Sequence, residues 1–189
     1  MKRLFVALRP PAEVRSALLA AMGGVPEARW QNDNQLHLTL AFIGEADRHA
    51  VAAAMEALAS VRQPAFEARL GALGSFDAGR ADRASTLWLA VEDIVGTSGR
   101  KALIHLAASI RQALRGAAVS IDSRRFLPHI TLARFPRAGA PRDTLRRWLE
   151  DTRIPPLAFA VSEFHLVESR MGNGGSHYAP LASYPLSPA

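Results

Sequence analysis

The stretch LHLTLAFIGE, residues 36–45, alternates apolar and polar side chains and sets His37 and Thr39 between leucines. Strict alternation predicts a β-strand with one buried face, which we place at about residues 36–43. The leucines would form the buried face. A strand that only packs against a core has no need of an imidazole and a hydroxyl on its other face, so this pair indicates a functional site.

A second stretch repeats the pattern. PHITLARF, residues 128–135, carries His129 and Thr131 between apolar residues. Side chains two apart on a strand point the same way, about 6–7 Å apart along the backbone, so each histidine shares a face with its threonine. We therefore predict a second strand over about 128–135, and a site to which both strands contribute.

The surroundings of these two strands repeat as well. Each is followed by a helical pattern and then by a strand with a phenylalanine, Phe66 lying 29 residues after His37 and Phe159 lying 30 residues after His129. The two helices are predicted at 47–61 and 141–152. Two strand–helix–strand units predict a duplicated chain with a pseudo-twofold arrangement, in which the four polar side chains converge on one cleft.

The order of the predicted elements favours an antiparallel α+β fold. The strands are too many for a helix bundle and do not alternate cleanly with helices as in a doubly wound sheet. The longest helix is predicted over 97–116, with Thr97 or Ser98 as its N-cap. A glycine-rich stretch over 172–175 predicts a loop between two late strands. No shift in composition marks a linker, so we predict a single domain over 1–189.

Composition is that of a globular protein, with 49% hydrophobic and 21% charged residues. The absence of cysteine excludes disulfides and thiolate metal sites and leads us to expect a cytoplasmic protein. The apolar run near the N-terminus ends at Arg9-Pro10-Pro11 and is too short for a signal peptide. No stretch approaches the length of a membrane span, so we expect no membrane partner.

The formal net charge is +6, and all but two of the 23 basic residues are arginines. Arginine forms paired hydrogen bonds with phosphate, so an anionic partner such as RNA is one interpretation. A compositional bias in an alanine- and arginine-rich chain is the other. Charge alone does not separate the two.

Two facing histidines suit acid–base chemistry, because imidazole titrates near neutrality and one ring can accept a proton while the other donates one. Two hydroxyl donors suit a tetrahedral anion with several oxygens, such as a phosphodiester. The six histidines include no His-Glu-x-x-His or His-x-x-x-His spacing, so we predict neither a metal site nor a cofactor.

Taken together, several segments resemble the two-histidine (2H) phosphoesterase superfamily, and within it the RNA 2′,3′-cyclic phosphodiesterases, also called 2′-5′ RNA ligases. The segments are RLFVAL, LHLTLAFIGE, FLPHITLARF, FHLVESR and YAPLASYPL. The resemblance runs from residue 3 to about 186. It implies a bilobal α+β fold with two antiparallel sheets lining a central cleft and helices outside. It also implies metal-independent hydrolysis of RNA 2′,3′-cyclic phosphate ends to 2′-phosphomonoesters.

The resemblance also implies roles for individual residues. His37 would be the proton donor and His129 the proton acceptor, while Thr39 and Thr131 would bind phosphate oxygens. Arg134 matches an arginine that would pair with the phosphate. Simple alternation from His129 places Arg134 on the opposite face, so this role requires the strand to bulge or end before it.

We therefore predict an enzyme that acts, as a monomer, on RNA ends or nucleotides with a 2′,3′-cyclic phosphate. Three alternatives stay open: 2′-5′ ligation of RNA ends, hydrolysis of another cyclic nucleotide, and a non-catalytic RNA-binding module. Relatives often have an arginine directly before the proline of the second motif, where this chain has Leu127. That difference removes one basic side chain from the predicted substrate site.

Overall fold

The computed structural model of the protein describes residues 1–77, 79, 82–94, 101–172 and 175–188. Within these ranges the chain forms one sheet and several helices. The strands are β1 (Lys2–Leu8), β2 (Arg29–Trp30), β3 (Leu38–Ala46), β4 (Phe66–Asp77), β5 (Arg83–Asp93), β6 (His129–Arg134), β7 (Ala140–Pro141), β8 (Ala158–Val161), β9 (Glu163–Gly172) and β10 (Gly175–Pro185). The helices are α1 (Ala12–Ala21), α2 (Arg48–Ala59), α3 (Ala102–Gly116) and α4 (Arg142–Asp151), with a 3₁₀ turn, η1, at Asp33–Gln35.

The strands pair antiparallel in the order β10-β9-β1-β3-β6-β5-β4-β8, and the sheet curls into a half-barrel. The predicted antiparallel α+β fold is confirmed. These eight strands form two halves of four, which meet where β3 lies beside β6. The two short strands β2 and β7 pair with β6 and β5. The junction of the two halves is a single residue pair, Leu38 opposite Ile130. The two expected sheets are therefore joined at the place where both histidine motifs lie.

The element order is symmetric about this junction. β1, α1, β3, α2 and β4 come in this order in the first unit, and β5, α3, β6, α4 and β9 come in the corresponding order in the second. The strand with Phe159, which the sequence pattern matched to the Phe66 strand, is β8, and it pairs with β4 itself, so the counterpart of β4 is β9. The last strand of each unit lies beside the first strand of the other, β4 beside β5 and β9 beside β1. This order supports the duplication, which stays a prediction.

Burial separates the two faces of the sheet as the alternation predicted. Leu38, Leu40, Ile130 and Leu132 have at most 1% of their surface exposed. They share one continuous hydrophobic cluster with the inward face of α3, which packs against β3 and β5. That helix face consists of Leu103, Leu106, Ile110 and Leu114. Burying this many large apolar side chains fixes which face of each strand points inward, because a one-residue slip would expose them all.

Some boundaries differ from the prediction. β3 begins at Leu38 rather than residue 36, because η1 and the two residues after it precede the strand. The predicted helix caps Thr97 and Ser98 lie outside the described residues, and the described part of the long helix begins at Ala102. The helix predicted over 47–61 is α2, and Asp47 caps its N-terminus, since the Asp47 carboxylate accepts a hydrogen bond from the Ala50 amide.

Candidate active site

His37 is positioned by the 3₁₀ turn that precedes β3. Asn32 and Gln35 close this turn by exchanging hydrogen bonds between the side chain of each and the backbone N–H of the other. The Gln35 carbonyl then lies 2.6 Å from Nδ1 of His37. The Gln35 side chain also donates to the Ser176 carbonyl on β10 at 2.8 Å. This bond connects the turn to β10, an edge strand of the sheet.

His129 is held in the same way. It is the first residue of β6, and its Nδ1 lies 2.7 Å from the Leu127 carbonyl. A carbonyl oxygen only accepts, so Nδ1 carries the proton in both His37 and His129. In the neutral ring Nε2 is then the acceptor, and in the charged ring it is a donor. Each histidine therefore presents Nε2 as the atom that exchanges protons.

The two threonines share a face with the histidines. Leu38 and Ile130 are opposite one another and point into the core, so their chain neighbours point to the other face of the sheet. Continuing this register sets His37 level with Thr131 and Thr39 level with His129. Neighbouring strands lie about 5 Å apart, so the four polar side chains surround one small area of the concave face.

Arg134 joins this group because β6 contains a β-bulge. Thr131 is opposite Trp88 of β5, but Ala133 is opposite Leu87, so two residues of β6 span one residue of β5. The extra residue is Leu132. It shifts the alternation by one place and returns Arg134 to the face of the histidines. The alternation count that placed Arg134 on the buried face is therefore wrong, and the bulge is the reason.

Aromatic side chains enclose the first histidine. The ring centroid of His37 lies 4.8 Å from that of Phe5 and 5.0 Å from that of Tyr178, and these two rings contact each other at 5.1 Å. Phe5 comes from β1 and Tyr178 from β10. These two aromatic rings hold the imidazole in one orientation and shield much of it from water.

A second aromatic pair encloses His129. Its ring lies 5.0 Å from Phe76 and 6.0 Å from Trp88, whose rings are 5.2 Å apart. Trp88 lies flat across Gly74, where an added Cβ would come within 2.4 Å of the indole. Any larger residue at position 74 would displace this indole, which lies beside His129. Each histidine therefore has a hydrogen-bonded carbonyl on one side and two rings around it.

These surroundings favour the neutral form of both imidazoles. Burial lowers the pKa of His37 from its ordinary 6.5 to about 4, and the positive charges of Arg134, His129 and Arg9 act in the same direction. Burial also lowers the pKa of His129, again with a contribution from Arg134. The carbonyl partner opposes the shift in each case. The guanidinium of Arg134 therefore acts on both rings, as its place beside them requires.

The exposed guanidinium of Arg134 forms no ion pair with the carboxylates of the described residues. No group of three or more His, Asp or Glu side chains within the described ranges is arranged to hold a metal ion. What the site offers a ligand is two imidazole Nε2 atoms, two hydroxyls and one guanidinium. Such a set suits a singly charged phosphodiester that must both gain and lose a proton.

Comparison with known proteins agrees with this geometry. The family model for the 2′-5′ RNA ligase superfamily matches residues 10–173. The RNA 2′,3′-cyclic phosphodiesterase of Escherichia coli (strain K12) is 33% identical, over 98% of this chain and 97% of its own. The protein of that name from Thermus thermophilus is 34% identical, over 97% and 90%. The crystal structure of E. coli LigT complexed with 3′-AMP matches with a TM-score of 0.74 and 30% identity, covering 98% of both chains.

The chain belongs to the 2′-5′ RNA ligase superfamily. Membership in this superfamily confirms the resemblance seen in the sequence. All five side chains predicted for its site, His37, Thr39, His129, Thr131 and Arg134, lie on the concave face at the junction of the two half-sheets. Leu127 is 46% exposed, and its backbone carbonyl accepts the hydrogen bond from Nδ1 of His129.

The sequence did not indicate which aromatic residues surround the two histidines, because these aromatic residues come from strands far apart in the chain. His165 is a further histidine near the site: its alternation with Phe164 and Leu166 allows it to face the cleft, although a lone histidine more often has a structural role. His165 is opposite Ala7, which is opposite Thr39, so His165 lies on the concave face two strands from the site. There it makes a 2.8 Å hydrogen bond with the Ser183 hydroxyl. Its place between Phe164 and Leu166, both fully buried, was the available signal.

Proposed function

We propose that this protein hydrolyses RNA 2′,3′-cyclic phosphate ends to 2′-phosphomonoesters without a metal ion. The observation that carries the proposal is the pair of histidines, each with Nδ1 bound to a carbonyl and Nε2 available, on either side of one polar area. Two relatives more than 30% identical over nearly their whole length are RNA 2′,3′-cyclic phosphodiesterases, which supports the same activity here.

In this proposal His129 is the general base and His37 the general acid. Nε2 of His129 accepts a proton from a water molecule, whose oxygen forms the new bond to phosphorus. The bond from phosphorus to the ribose 3′ oxygen breaks, and Nε2–H of His37 gives that oxygen its proton. The 2′ ester bond remains. One proton enters at His129 and one leaves His37, so exchange with solvent restores both rings after each turnover.

The other three side chains hold the phosphate. Hydroxyl groups of Thr39 and Thr131 donate to the non-bridging oxygens, and Arg134 supplies a positive charge beside them. Thr131 is 9% exposed, so its hydroxyl is largely shielded from competing water. Donors in such a site stabilise developing negative charge more strongly than the same donors in bulk water.

The protonation states follow from the charges around the site. With a pKa of about 4, His37 is neutral at pH 7 in the free protein. A bound phosphate adds a negative charge and pairs with Arg134, and both changes favour the charged imidazole. Substrate binding therefore raises the pKa of the proton donor. In the proposed mechanism the bound complex has one charged ring, that of the proton donor His37, and one neutral ring, that of the proton acceptor His129.

Ligation is a second candidate for the same site. The matching family is named for 2′-5′ RNA ligase activity. Formation of a 2′-5′ bond at a cyclic phosphate uses an RNA hydroxyl in place of water, and the two imidazoles would serve both reactions. Water is the more abundant nucleophile, so hydrolysis is the reaction we assign. Other cyclic nucleotides and non-catalytic RNA binding are tested by the same experiment.

The test is to incubate the protein with an oligonucleotide that ends in a 2′,3′-cyclic phosphate and to identify the product by chromatography against 2′- and 3′-phosphate standards. We expect the 2′-phosphate. His129→Ala should form it about 10²–10⁴-fold more slowly. His49→Ala, at an exposed histidine on α2, is the matched control. A 3′-phosphate product, or no turnover of any cyclic substrate, would contradict the proposal.

We also propose that the protein acts as a monomer in the cytoplasm. No described helix is long and apolar enough to cross a membrane. The five site residues all come from one chain, so the proposed chemistry needs no second copy. Light scattering coupled to size-exclusion chromatography should give the mass of one 20.4 kDa chain.

A further inference from the structure

A groove of about 860 Å³ lies on the outer side of α3, away from the histidines. One wall is the exposed surface of the helix, including Ile104, Arg111 and Arg115. The other wall is the segment that leads into the second motif strand, including Arg125 and Phe126. The buried face of the same helix packs on the sheet, so the groove lies against its outward-facing surface.

All the charged side chains that line the groove are arginines. Arg111 holds the two walls together, since its guanidinium donates to the carbonyls of Asp122 and Arg124 at 2.7 and 3.2 Å. Arg115 and Arg125 are exposed, and neither forms an ion pair with the carboxylates of the described ranges. Two unpaired guanidinium groups in one groove suit a polyanion, because each can pair with a phosphate.

Apolar surface accompanies the charge. Ile104 is 44% exposed, and Leu127, directly after the groove residue Phe126, is 46% exposed. Large apolar side chains this accessible are uncommon in the described part of the chain. Proteins bind single-stranded nucleic acid with this combination of groups. The guanidinium groups contact the phosphates, and the apolar and aromatic atoms contact the bases or riboses.

A short segment of chain joins the groove to the site. His129 comes four positions after Arg125 in the sequence, a distance of at most about 14 Å along extended chain. His129 is the first residue of β6, so it lies at the end of the sheet where this segment enters. An RNA strand could therefore follow the segment around the end of the sheet to the concave face. It would not have to cross the sheet.

We propose that this groove binds the phosphodiester backbone of the RNA upstream of the cyclic end. The proposal rests on the proposed function and adds a substrate class: polymeric RNA ends rather than cyclic mononucleotides. It also accounts for the arginine-rich composition on this surface. Arg115 and Arg125 are the residues that contact phosphates, while Arg111 positions the loop between them.

The test compares two substrates with the same 3′ end, a dinucleotide and an oligonucleotide of about 12 nucleotides, a usual length for single-strand sites. For the double variant Arg115→Glu/Arg125→Glu we expect kcat/KM on the longer substrate to fall about tenfold, with the dinucleotide unchanged. The salt dependence of binding to the longer RNA should also become shallower by about 1.4 in log–log slope, two contacts at about 0.7 each.

Arg147→Glu is the matched control, since it reverses an exposed arginine on α4. It should leave both substrates unchanged. If the double variant loses activity on both substrates, or on neither, the groove proposal is overturned. Arg115→Ala and Arg125→Ala give a milder change should the reversed variant fold poorly.

Binding to a labelled oligonucleotide with a 2′-phosphate end separates this proposal from the proposed function. If the wild-type protein hydrolyses neither substrate, the proposed function fails. The groove is then judged by affinity alone, which the double variant should lower and Arg147→Glu should not. Equal affinity in all three proteins would refute it.

Discussion

The low pKa of His37 predicts that the folded protein loses stability as the pH falls. In the folded protein the pKa of this histidine is about 4, against an ordinary value of 6.5. Between these two pH values the unfolded chain takes up a proton at His37 and the folded protein does not. Acidification therefore stabilises the unfolded state, and the folded protein loses stability as the pH falls from 6.5 toward 4.

The magnitude follows from the two pKa values. Their difference corresponds to at most about 3 kcal/mol when both states are compared below pH 4. About 2 kcal/mol of this is lost between pH 7 and pH 5. For a domain with the usual stability of about 5–15 kcal/mol, a loss of this size is easily measured.

The assay is urea unfolding of the wild-type protein and of His37→Gln at pH 7 and pH 5. Glutamine does not titrate, so the variant should lose about 2 kcal/mol less than the wild type over this interval. His49→Gln makes the same substitution at an exposed position on α2 and is the control. An NMR titration of the histidine ring protons gives the pKa of His37 directly.

Parallel losses of stability in the wild type and His37→Gln would refute the reasoning. So would a titration midpoint for His37 near 6.5. Either result would mean that the rings of Phe5 and Tyr178 do not keep water from the imidazole. The account of the proton donor, which relies on the substrate to raise a depressed pKa, would then fail as well.

Four further predictions concern the site. His37→Ala and His129→Ala should each lower kcat by about 10²–10⁴-fold, and the double variant little more, because both act in one transition state; additive losses in steady-state kinetics would contradict this. Arg134→Gln should raise the pKa of both histidines in the free protein, since it removes a positive charge, and it should also raise KM. Unchanged histidine titrations by NMR would mean that Arg134 does not lie beside the two rings. Thr131→Val should lower kcat/KM about 10- to 100-fold through one lost hydrogen bond to a charged group, and wild-type kinetics would exclude that bond. Activity should survive excess EDTA, because imidazoles and Arg134 supply both proton transfers and the charge; loss in EDTA with recovery on adding a divalent ion would overturn the mechanism.

Much of the site could be predicted from local pattern. His37 and Thr39 stand out because alternation on a half-buried strand is a short-range property, and the second motif repeats it. The same alternation failed at Arg134. The bulge at Leu132 depends on how β6 pairs with β5, and no residue within β6 indicates it.

The strand starts illustrate a second limit. His37 was predicted inside its strand but precedes it, because the paired hydrogen bonds of Asn32 and Gln35 favour a 3₁₀ turn just before. Those two residues also supply the carbonyl that fixes the ring of His37. Residues 32–35 are all polar, but no local pattern in the sequence indicated that they contact His37.

The sequence by itself determined the periodicity of the strands, the face on which each histidine lies relative to its threonine, and the family. These follow from the spacing of apolar residues along short segments, which any register of the sheet must respect. Tertiary structure alone decided which strands meet. It set β3 beside β6, brought Phe5 and Tyr178 to one histidine and Phe76 and Trp88 to the other, and turned Arg134 toward both. These contacts join residues far apart in the chain, and they depend on how the whole core packs. The pKa values on which the chemistry depends therefore exist only in the folded protein.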